Sequence, residues 1–247
     1  MAAMPLPSRV LVVIPAFNEA ATLAAVVEEV RAALPSADVL VVDDCSSDGT
    51  RAVALTTVAQ VLTLPINLGV GGAMRAGFRY ALRYGYDAVL QVYGDGQHDP
   101  QDAPRLIAAL ADADLVIGAR FAGTGDYDVR GPRRWAMRLL ARTLSRVTGA
   151  RLTDATSGFR VCNARTLELF ARHYPAEYLG DTVETLVIAA RAGLTVAQVP
   201  VTMRDRAGGQ PSQSPVRAAV YLLRVCLALG LGRIRRYDGV AGVRVPV

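Results

Sequence analysis

A short run of polar side chains, Asp95 to Asp99, contains the residue types of a metal site. Hard divalent cations take oxygen ligands from carboxylates, amide carbonyls and phosphates. Asp95 offers a carboxylate and Gln97 a side-chain amide oxygen, and diphosphate oxygens and water would complete the coordination. An isolated Asp-x-Gln is a weak signal, but this one follows Asp87 to Val92, which has the pattern of a buried strand. The sequence therefore predicts a divalent cation beside the end of this strand.

Three other apolar runs that are predicted to be strands also end in polar residues. They are Arg9 to Ile14, Asp38 to Val42 and Val61 to Leu64, followed by residues 15–19, 43–50 and 67–72. Ligands of open α/β sheets bind beyond the carboxyl ends of the strands, so all four ends are expected to converge on one site. Asp44 and Ser47 also have a simpler interpretation, as residues that cap the next helix.

The elements that would position these residues alternate between strand and helix through the first 120 residues. Periodicity and capping signals predict four helices there: Glu19 to Leu34, Ser47 to Ala59, Gly71 to Tyr84 and Pro100 to about Ala111. Further predicted strands are Asp114 to Ile117, the end of Asp154 to Val161, and Thr195 to Val201; further helices are Arg134 to Val147, Asn163 to Arg172, Asp181 to Ala192 and Val216 to Leu231. This order predicts an α/β fold with a mostly parallel central sheet and helices on both faces.

Several other classes of phosphate-binding protein lack support. Gly69 to Gly72 does not complete a dinucleotide fingerprint, because Met74 stands where a small residue is required. No Gly-Lys-Ser/Thr phosphate loop is present, and a nucleotidyltransferase would need a glycine-rich loop with a lysine where Asn18 and Glu19 follow the first strand. The net charge of +5 suits an anionic partner, but aromatic residues are only 6% and no nucleic-acid-binding motif is present. We therefore expect a nucleotide or an anionic lipid, and no nucleic acid.

Three motifs taken in order are highly specific, although each alone is not. They are VIPAFNE at residues 13–19, VVDDCSSDGT at 41–50 and GDGQHDP at 94–100. Together they resemble the family 2 glycosyltransferases of GT-A fold, and most of all the dolichyl- or polyprenyl-phosphate mannosyltransferases. The resemblance implies a nucleotide-diphospho-sugar transferase domain over residues 8–215, and residues 216–247 would add an apolar helix and a basic tail.

The resemblance also implies roles for individual residues on the donor side. The implied donor pocket consists of Pro15, Ala16 and Glu19 around the nucleotide, Asp44 on the base, and Asp95 and Gln97 holding Mg²⁺ or Mn²⁺ on the diphosphate. Three arginines are implied to bind phosphate: Arg120, Arg134 and Arg206. The implied donor is GDP-mannose or UDP-glucose, so the transferred sugar would be mannose or glucose.

On the acceptor side, residues 154–160 resemble a segment near the acceptor, and Asp181 and Glu184 match an acidic helix. The implied acceptor is polyprenyl phosphate or another lipid-linked molecule. A lipid phosphate is already a nucleophile at neutral pH, so its reaction needs positioning more than a strong base. A hydroxyl acceptor would need a carboxylate base, for which Asp154 and then Asp181 are the candidates. The family implies inversion at the anomeric carbon.

Two positions depart from the family's pattern. The family usually has Asp-x-Asp at the fourth strand, whereas this chain has Tyr93-Gly94-Asp95, so the first carboxylate is missing. We expect reduced metal affinity with activity retained. A lysine often follows the serine of the later Gly/Pro/Ser loop, and Gln213 stands there instead. The alternative hypothesis is a catalytically weak homologue that acts as a scaffold for a membrane partner.

Two segments and the cysteines indicate where in the cell the protein is expected to act. The basic helix from Arg134 and the apolar final helix suit a peripheral enzyme at a membrane surface, and an ordinary core helix is the alternative for the latter. The cysteines, Cys45, Cys162 and Cys226, are far apart in sequence and are expected to be free thiols in a reducing compartment. We therefore expect a cytoplasmic protein, peripheral at the inner face of the membrane.

Overall fold

The computed structural model describes residues 4–120, 132–175 and 181–204, with the backbone alone for residues 132–139. Its strands are β1 Val10–Ala16, β2 Asp38–Asp43, β3 Gln60–Thr63, β4 Ala88–Gln91, β5 Leu115–Ala119, β6 Arg160–Asn163 and β7 Val196–Pro200. Its α-helices are α1 Leu23–Ala33, α2 Thr50–Thr56, α3 Gly69–Arg83, α4 Ala103–Ala108, α5 Pro132–Thr148, α6 Ala164–His173 and α7 Glu184–Arg191. Within these ranges, no helix combines the length and the apolar character that crossing a membrane requires. The predicted helix Val216 to Leu231 lies outside the described residues.

The described strands form one sheet in the order β3-β2-β1-β4-β6-β5-β7. Neighbours among β1 to β4 are parallel, as are β5 and β7, whereas β6 runs antiparallel to both β4 and β5. The predicted α/β fold with a mostly parallel sheet is confirmed. Arg160, the first residue of β6, pairs with Gln91 at the end of β4 and with Ile117 of β5. Residues 154–159 therefore lie at the edge where the parallel strands end.

Two apolar cores cover the two faces of the sheet. Side chains alternate along β1, so that Leu11 and Val13 face one core while Val12 and Ile14 face the other. The first core includes residues of α3, α5, α6 and α7, and the second includes residues of α1, α2 and α4. Burial of the sheet on both faces explains why its strands read as nearly continuous apolar runs.

The helices after β1 and β2 begin later than predicted. α1 begins at Leu23 and not at Glu19, because the Glu19 N–H donates to Thr50 Oγ1 (2.8 Å) in a loop that precedes the helix. α2 begins at Thr50 and not at Ser47, because Asp48 Oδ1 accepts the Thr50 N–H (2.8 Å). The residues before each helix are thereby left in loops at the functional edge of the sheet.

Candidate active site

Side-chain hydrogen bonds join the loops that follow β1 and β2. The Asn18 N–H donates to Ser46 Oγ (3.1 Å), and Asn18 Oδ1 accepts the Ser47 N–H (2.9 Å). Asn18 and Cys45 are the two described residues other than glycine with positive φ, at 57° and 61°. Such conformations cost free energy and concentrate at functional sites. Neither residue was predicted to have a role; the tolerance of asparagine for left-handed backbone was the available signal for Asn18.

The predicted nucleotide-pocket residues Pro15, Ala16 and Glu19 lie at the end of β1 and just beyond it. Pro15 and Ala16 are buried strand residues, whereas Glu19 is half-buried and reaches the loop after β4. A Cβ added to Gly94 would lie 3.5 Å from both Cβ and Cγ of Glu19. Thr22 Oγ1 also donates to the Gly94 carbonyl oxygen (2.6 Å). The end of β1 is thus packed directly against the end of β4.

Asp44 is buried at the end of β2 and holds the start of α3. Its Oδ1 accepts the Leu68 N–H (2.8 Å), and its carboxylate also accepts the Gly69 N–H. Burial raises the pKa of Asp44 above its usual value, against the opposing effect of these two hydrogen bonds. The simpler interpretation of Asp44 and Ser47 as caps of the next helix is wrong, because the N-cap of α2 is Gly49 and the N–H of its first residue, Thr50, donates to Asp48 Oδ1. Asp44 instead joins the second and third strand ends.

The strand-four loop, residues 93–99, forms a tight turn that presents Asp95 and Gln97. Asp95 is buried, and its Oδ1 accepts the Gln97 N–H (3.0 Å) across Gly96, whose φ of 75° favours glycine. Gln97 is half-buried. No group of three His, Cys, Asp or Glu side chains that could hold a metal ion occurs within the described ranges. A carboxylate and an amide oxygen fit a hard cation that is shared with a diphosphate, and they do not form a closed protein site.

Three aromatic rings stack behind this loop. Tyr93 stacks on His98 (centroids 4.7 Å apart, planes at 24°), and His98 stacks on Phe159 (4.9 Å, 16°). Burial, with the positive charge of Arg120 adding to it, lowers the pKa of His98 to about 3. The imidazole is therefore neutral, and its Nδ1 accepts the Tyr93 N–H (3.1 Å). No role was predicted for His98, because its placement depends on Phe159 of the 154–160 segment, which packs against it.

Asp154 and Arg120, predicted as a base and a phosphate ligand, form one ion pair. Arg120 Nε donates to Asp154 Oδ2 (2.6 Å) and Nη2 donates to Oδ1 (2.9 Å), while the Arg120 N–H also reaches Oδ2 (3.2 Å). Arg120 Nη2 contacts Thr156 Oγ1 as well (2.7 Å). Burial alone would raise the pKa of Asp154, but the Arg120 guanidinium and the backbone N–H donors hold it below its usual value. This carboxylate is a weak proton acceptor that ties the 154–160 segment to the end of β5.

Asp181 has the opposite electrostatic character. It is buried just before α7, and burial raises the pKa of its carboxyl to about 6, against the opposing charge of Arg160. The Asp181 carbonyl oxygen accepts from Tyr174 Oη (3.2 Å) and Thr185 Oγ1 (2.7 Å). Glu184 is half-buried at the first position of α7. Of the two predicted bases, Asp181 has the pKa suited to accepting a proton near neutral pH.

Arg160 is a buried arginine to which the sequence analysis assigned no role. Its guanidinium donates to the carbonyl oxygens of Ser157 (2.6 Å) and Ala155 (2.8 Å) and to Thr185 Oγ1 (2.9 Å). It thereby fixes the backbone of the 154–160 segment against α7. The signal in the sequence was an arginine at the start of an apolar strand, where a charge is kept only if it is hydrogen-bonded.

Two predicted phosphate ligands cannot be placed in this site. The side chain of Arg134 and all of Arg206 lie outside the described residues, as does Gln213. Arg204, two residues before Arg206, is described: its N–H donates to the Gln97 carbonyl oxygen (2.9 Å) and its Nη2 to Asp99 Oδ1 (2.9 Å). At Arg204, the chain is therefore hydrogen-bonded to the strand-four loop.

Solved structures share this architecture at low sequence identity. One is glucosyl-3-phosphoglycerate synthase from Mycobacterium tuberculosis in complex with Mn²⁺, uridine diphosphate and phosphoglyceric acid, with a TM-score of 0.67, 22% identity, and coverage of 96% of this chain and 81% of that one. Another is mannosyl-3-phosphoglycerate synthase from Rubrobacter xylanophilus, with a TM-score of 0.65, 20% identity, and coverage of 96% and 78%. These similarities establish the GT-A fold.

Curated proteins match more closely in sequence. The undecaprenyl-phosphate mannosyltransferase of Micrococcus luteus is 38% identical, with coverage of 83% of this chain and 88% of that protein. The polyprenol monophosphomannose synthase of Mycolicibacterium smegmatis is 33% identical, with coverage of 86% and 84%. The sequence profile described as glycosyl transferase family 2 matches residues 11–170. The match to this profile and the identity to these relatives show that the chain belongs to the family 2 glycosyltransferases, and its motifs lie together at the strand ends of one GT-A fold.

Proposed function

We propose that this enzyme transfers mannose or glucose from GDP-mannose or UDP-glucose to polyprenyl phosphate or another membrane-linked acceptor, with Mg²⁺ or Mn²⁺ and with inversion. The observation that carries the proposal is the turn that presents Asp95 and Gln97 at the end of β4, packed against Glu19 at the end of β1. The names of the relatives from Micrococcus luteus and Mycolicibacterium smegmatis support the mannose and polyprenyl-phosphate parts. The Mn²⁺ and uridine diphosphate in the M. tuberculosis synthase support the cofactor.

The proposed reaction exchanges one bond at the anomeric carbon for another. An acceptor oxygen attacks that carbon, and the bond from carbon to the β-phosphate oxygen breaks, so that the nucleoside diphosphate leaves with the electron pair. When bound, the divalent cation supplies charge that stabilises the leaving diphosphate. Asp95 and Gln97 would hold it, Asp44 would bind the base through a carboxylate oxygen, and Pro15, Ala16 and Glu19 would line the nucleotide pocket. Attack from the side opposite the leaving group gives inversion.

The acceptor decides whether a base is needed. A phosphate acceptor carries no proton on its attacking oxygen, whereas a hydroxyl acceptor must lose one. We assign that role to Asp181, because its pKa is raised to about 6 by burial. Asp154 is less suited, since its pKa is held low while Arg120 engages both carboxylate oxygens. We propose that Arg120, Arg134 and Arg206 bind phosphate.

Nucleotide binding tests the donor part of the proposal. Purified protein is heated with GDP, UDP, GDP-mannose or UDP-glucose, with Mn²⁺ or with a chelator, and with ATP and Mn²⁺ as a control. Ligand at about 100 times its dissociation constant adds about 2.7 kcal/mol to the free energy of unfolding. We expect a rise in Tm with one of the two nucleotide families, lost with the chelator. Equal behaviour of all nucleotides, with and without Mn²⁺, would contradict the proposal.

The alternative function, a weak homologue that scaffolds a membrane partner, rests on Tyr93 in place of the usual aspartate. If the site has degenerated, Tyr93→Asp will raise turnover strongly. If the site is an intact variant, the substitution will bring no gain. The packing of Tyr93, whose ring stacks on His98, favours the second outcome.

A further inference from the structure

Tyr93 is integrated into the packing of the site through its contacts with His98 and Gly158. Its backbone N–H donates to His98 Nδ1 (3.1 Å), and its ring stacks on the same imidazole with centroids 4.7 Å apart. His98 in turn stacks on Phe159 of the 154–160 segment. The ring is therefore the first of three in a stack that runs from the strand-four loop into that segment. An aspartate at position 93 would have no ring with which to make this contact.

Gly158 packs against the hydroxyl end of the same ring. A Cβ added at position 158 would come within 2.6 Å of Tyr93 Cε2 and would overlap Cζ and Oη. Real Cβ atoms do not approach other atoms this closely, so the tyrosine ring occupies the space that any side chain at position 158 would need. Tyr93 and Gly158 are thus a matched pair, with the large residue on the strand-four loop and the small one on the 154–160 segment.

The hydroxyl end of Tyr93 lies against the 154–160 segment, because it is the part of the ring that a Cβ at position 158 would overlap most closely. Arg160 holds the backbone of that segment through the carbonyl oxygens of Ser157 (2.6 Å) and Ala155 (2.8 Å), and it also donates to Thr185 Oγ1 of α7 (2.9 Å). One end of Tyr93 is therefore on the loop that carries Asp95, and its other end contacts the segment that is fixed against α7.

We propose that Tyr93 is a positioning residue, whose ring fixes the 154–160 segment and the acceptor side against the strand-four loop. In this protein the site then works with Asp95 as the one carboxylate of the Asp-x-Asp pattern, and Tyr93 is a functional replacement for the other. The inference rests on the proposed function. It differs from the expectation of simple degeneration, because an aspartate at position 93 would restore a charge and remove the contact that aligns the two halves of the site.

The kinetic test compares Tyr93→Asp with Tyr93→Phe, and uses Tyr84→Asp as a matched control at an exposed tyrosine (51% accessible) at the end of α3. Misplacing reacting groups by about 1 Å costs up to about 100-fold in rate, so we expect Tyr93→Asp to lower kcat at least about tenfold. Its Mn²⁺-dependent nucleotide affinity should not fall, since a carboxylate is added beside Asp95. Tyr93→Phe and Tyr84→Asp should stay within about threefold of the parent. A Tyr93→Asp variant as fast as the parent, or a Tyr93→Phe variant as slow as Tyr93→Asp, would overturn the proposal.

A second test needs no substrate and so separates this inference from the proposed function. Gly158→Ala should lower Tm, and the double variant Tyr93→Ala/Gly158→Ala should lose less than the sum of the two single variants, because the smaller residue makes room for the added Cβ. Gly49→Ala is the control, since its Cβ would lie 3.8 Å from the nearest atom, Ala20 Cβ. Additive losses would overturn the matched pair even if the enzyme is active. Coupled losses in a protein that binds and transfers no sugar would leave the pair intact and reject the function.

Discussion

Asp95 and Asp181 are two buried carboxyl groups in different environments. Asp95 is in the strand-four loop and accepts the N–H of Gln97 two residues on (3.0 Å), whereas burial raises the pKa of Asp181 to about 6. The raised pKa suits Asp181 to proton transfer, whereas the role proposed for Asp95 is to hold the divalent cation.

Asp95→Asn should abolish most of the metal-dependent activity while the fold remains intact. An amide at this position keeps the shape but removes the charge that a divalent cation requires, and we expect kcat/KM to fall about 100-fold or more. Titration of Mn²⁺ in the presence of the nucleoside diphosphate measures the cause directly. Asp112→Asn, at an exposed aspartate before β5, is the control and should behave like the parent. Unchanged Mn²⁺ affinity in Asp95→Asn would show that this carboxylate is not a metal ligand.

Asp181→Asn should stabilise the protein at mildly alkaline pH. Because burial raises the pKa of the folded-state carboxyl to about 6, the folded protein binds this proton more tightly than the unfolded chain does. The ionised carboxylate therefore costs stability as the pH rises through about 6, and the cost is absent below about pH 4. We expect Asp181→Asn to gain about 3 kcal/mol above this window and nothing below it.

Denaturant unfolding of the parent and of Asp181→Asn, below about pH 4 and above about pH 6, measures this gain in stability. The matching functional measurement is the rate of sugar transfer to a hydroxyl acceptor. A variant that gains stability and loses this transfer would identify a carboxylate that is kept for function at a cost in stability. Equal stability of the two proteins at mildly alkaline pH would contradict the raised pKa.

At the scale of elements, the sequence predicted the parallel part of the fold well and the contacts of β6 poorly. Apolar runs that end in polar residues located β1, β2 and β4, because burial on both faces requires apolar strands. The antiparallel insertion of β6 between β4 and β5 left no comparable pattern, since strand order depends on contacts distant in sequence. The pairing of Asp154 with Arg120 and the contact of Gly158 with Tyr93 both follow from that insertion.

Asp154→Asn should destabilise the fold, because Asp154 joins the segment before β6 to the end of β5. Removing one partner of a buried ion pair leaves the other charge uncompensated, and we expect a loss of about 3 kcal/mol. The pKa of Asp154 is held below its usual value by Arg120 and backbone donors, against the effect of burial. Its contribution is therefore present above the unfolded-state pKa and lost as the pH falls through the folded-state pKa.

Urea unfolding of Asp154→Asn, with Arg105→Ala as control, measures this loss. Arg105 pairs with Asp102 at the surface, where its side chain is 59% exposed, and this pair should contribute little. Reduced activity of Asp154→Asn with parental stability would instead favour a direct catalytic role for Asp154.

At the scale of the whole molecule, net charge and helix exposure suggest how the enzyme meets its acceptor. The chain carries a net charge of +5, and α5 buries Leu144 against the core while Arg142 and Arg146 remain exposed. Each basic residue near an anionic lipid surface contributes about 1 kcal/mol. We expect the protein to float with vesicles that contain anionic lipid, to float less with neutral vesicles, and to be released by salt.

Arg142→Glu/Arg146→Glu should weaken this flotation strongly. Arg51→Glu, at an exposed arginine on α2, is the matched control and should have little effect. Flotation that is independent of lipid charge, or equal effects of the two changes, would count against α5 as the membrane-facing helix.

The most direct measurement is the transfer of labelled sugar from GDP-mannose or UDP-glucose to polyprenyl phosphate by the purified protein, with Mn²⁺, with a chelator and with Asp95→Asn. We expect labelled polyprenyl phosphate from one donor with Mn²⁺, and strongly reduced product with the chelator or with Asp95→Asn. No labelled lipid from either donor, or product that is unaffected by the chelator and by Asp95→Asn, would contradict it.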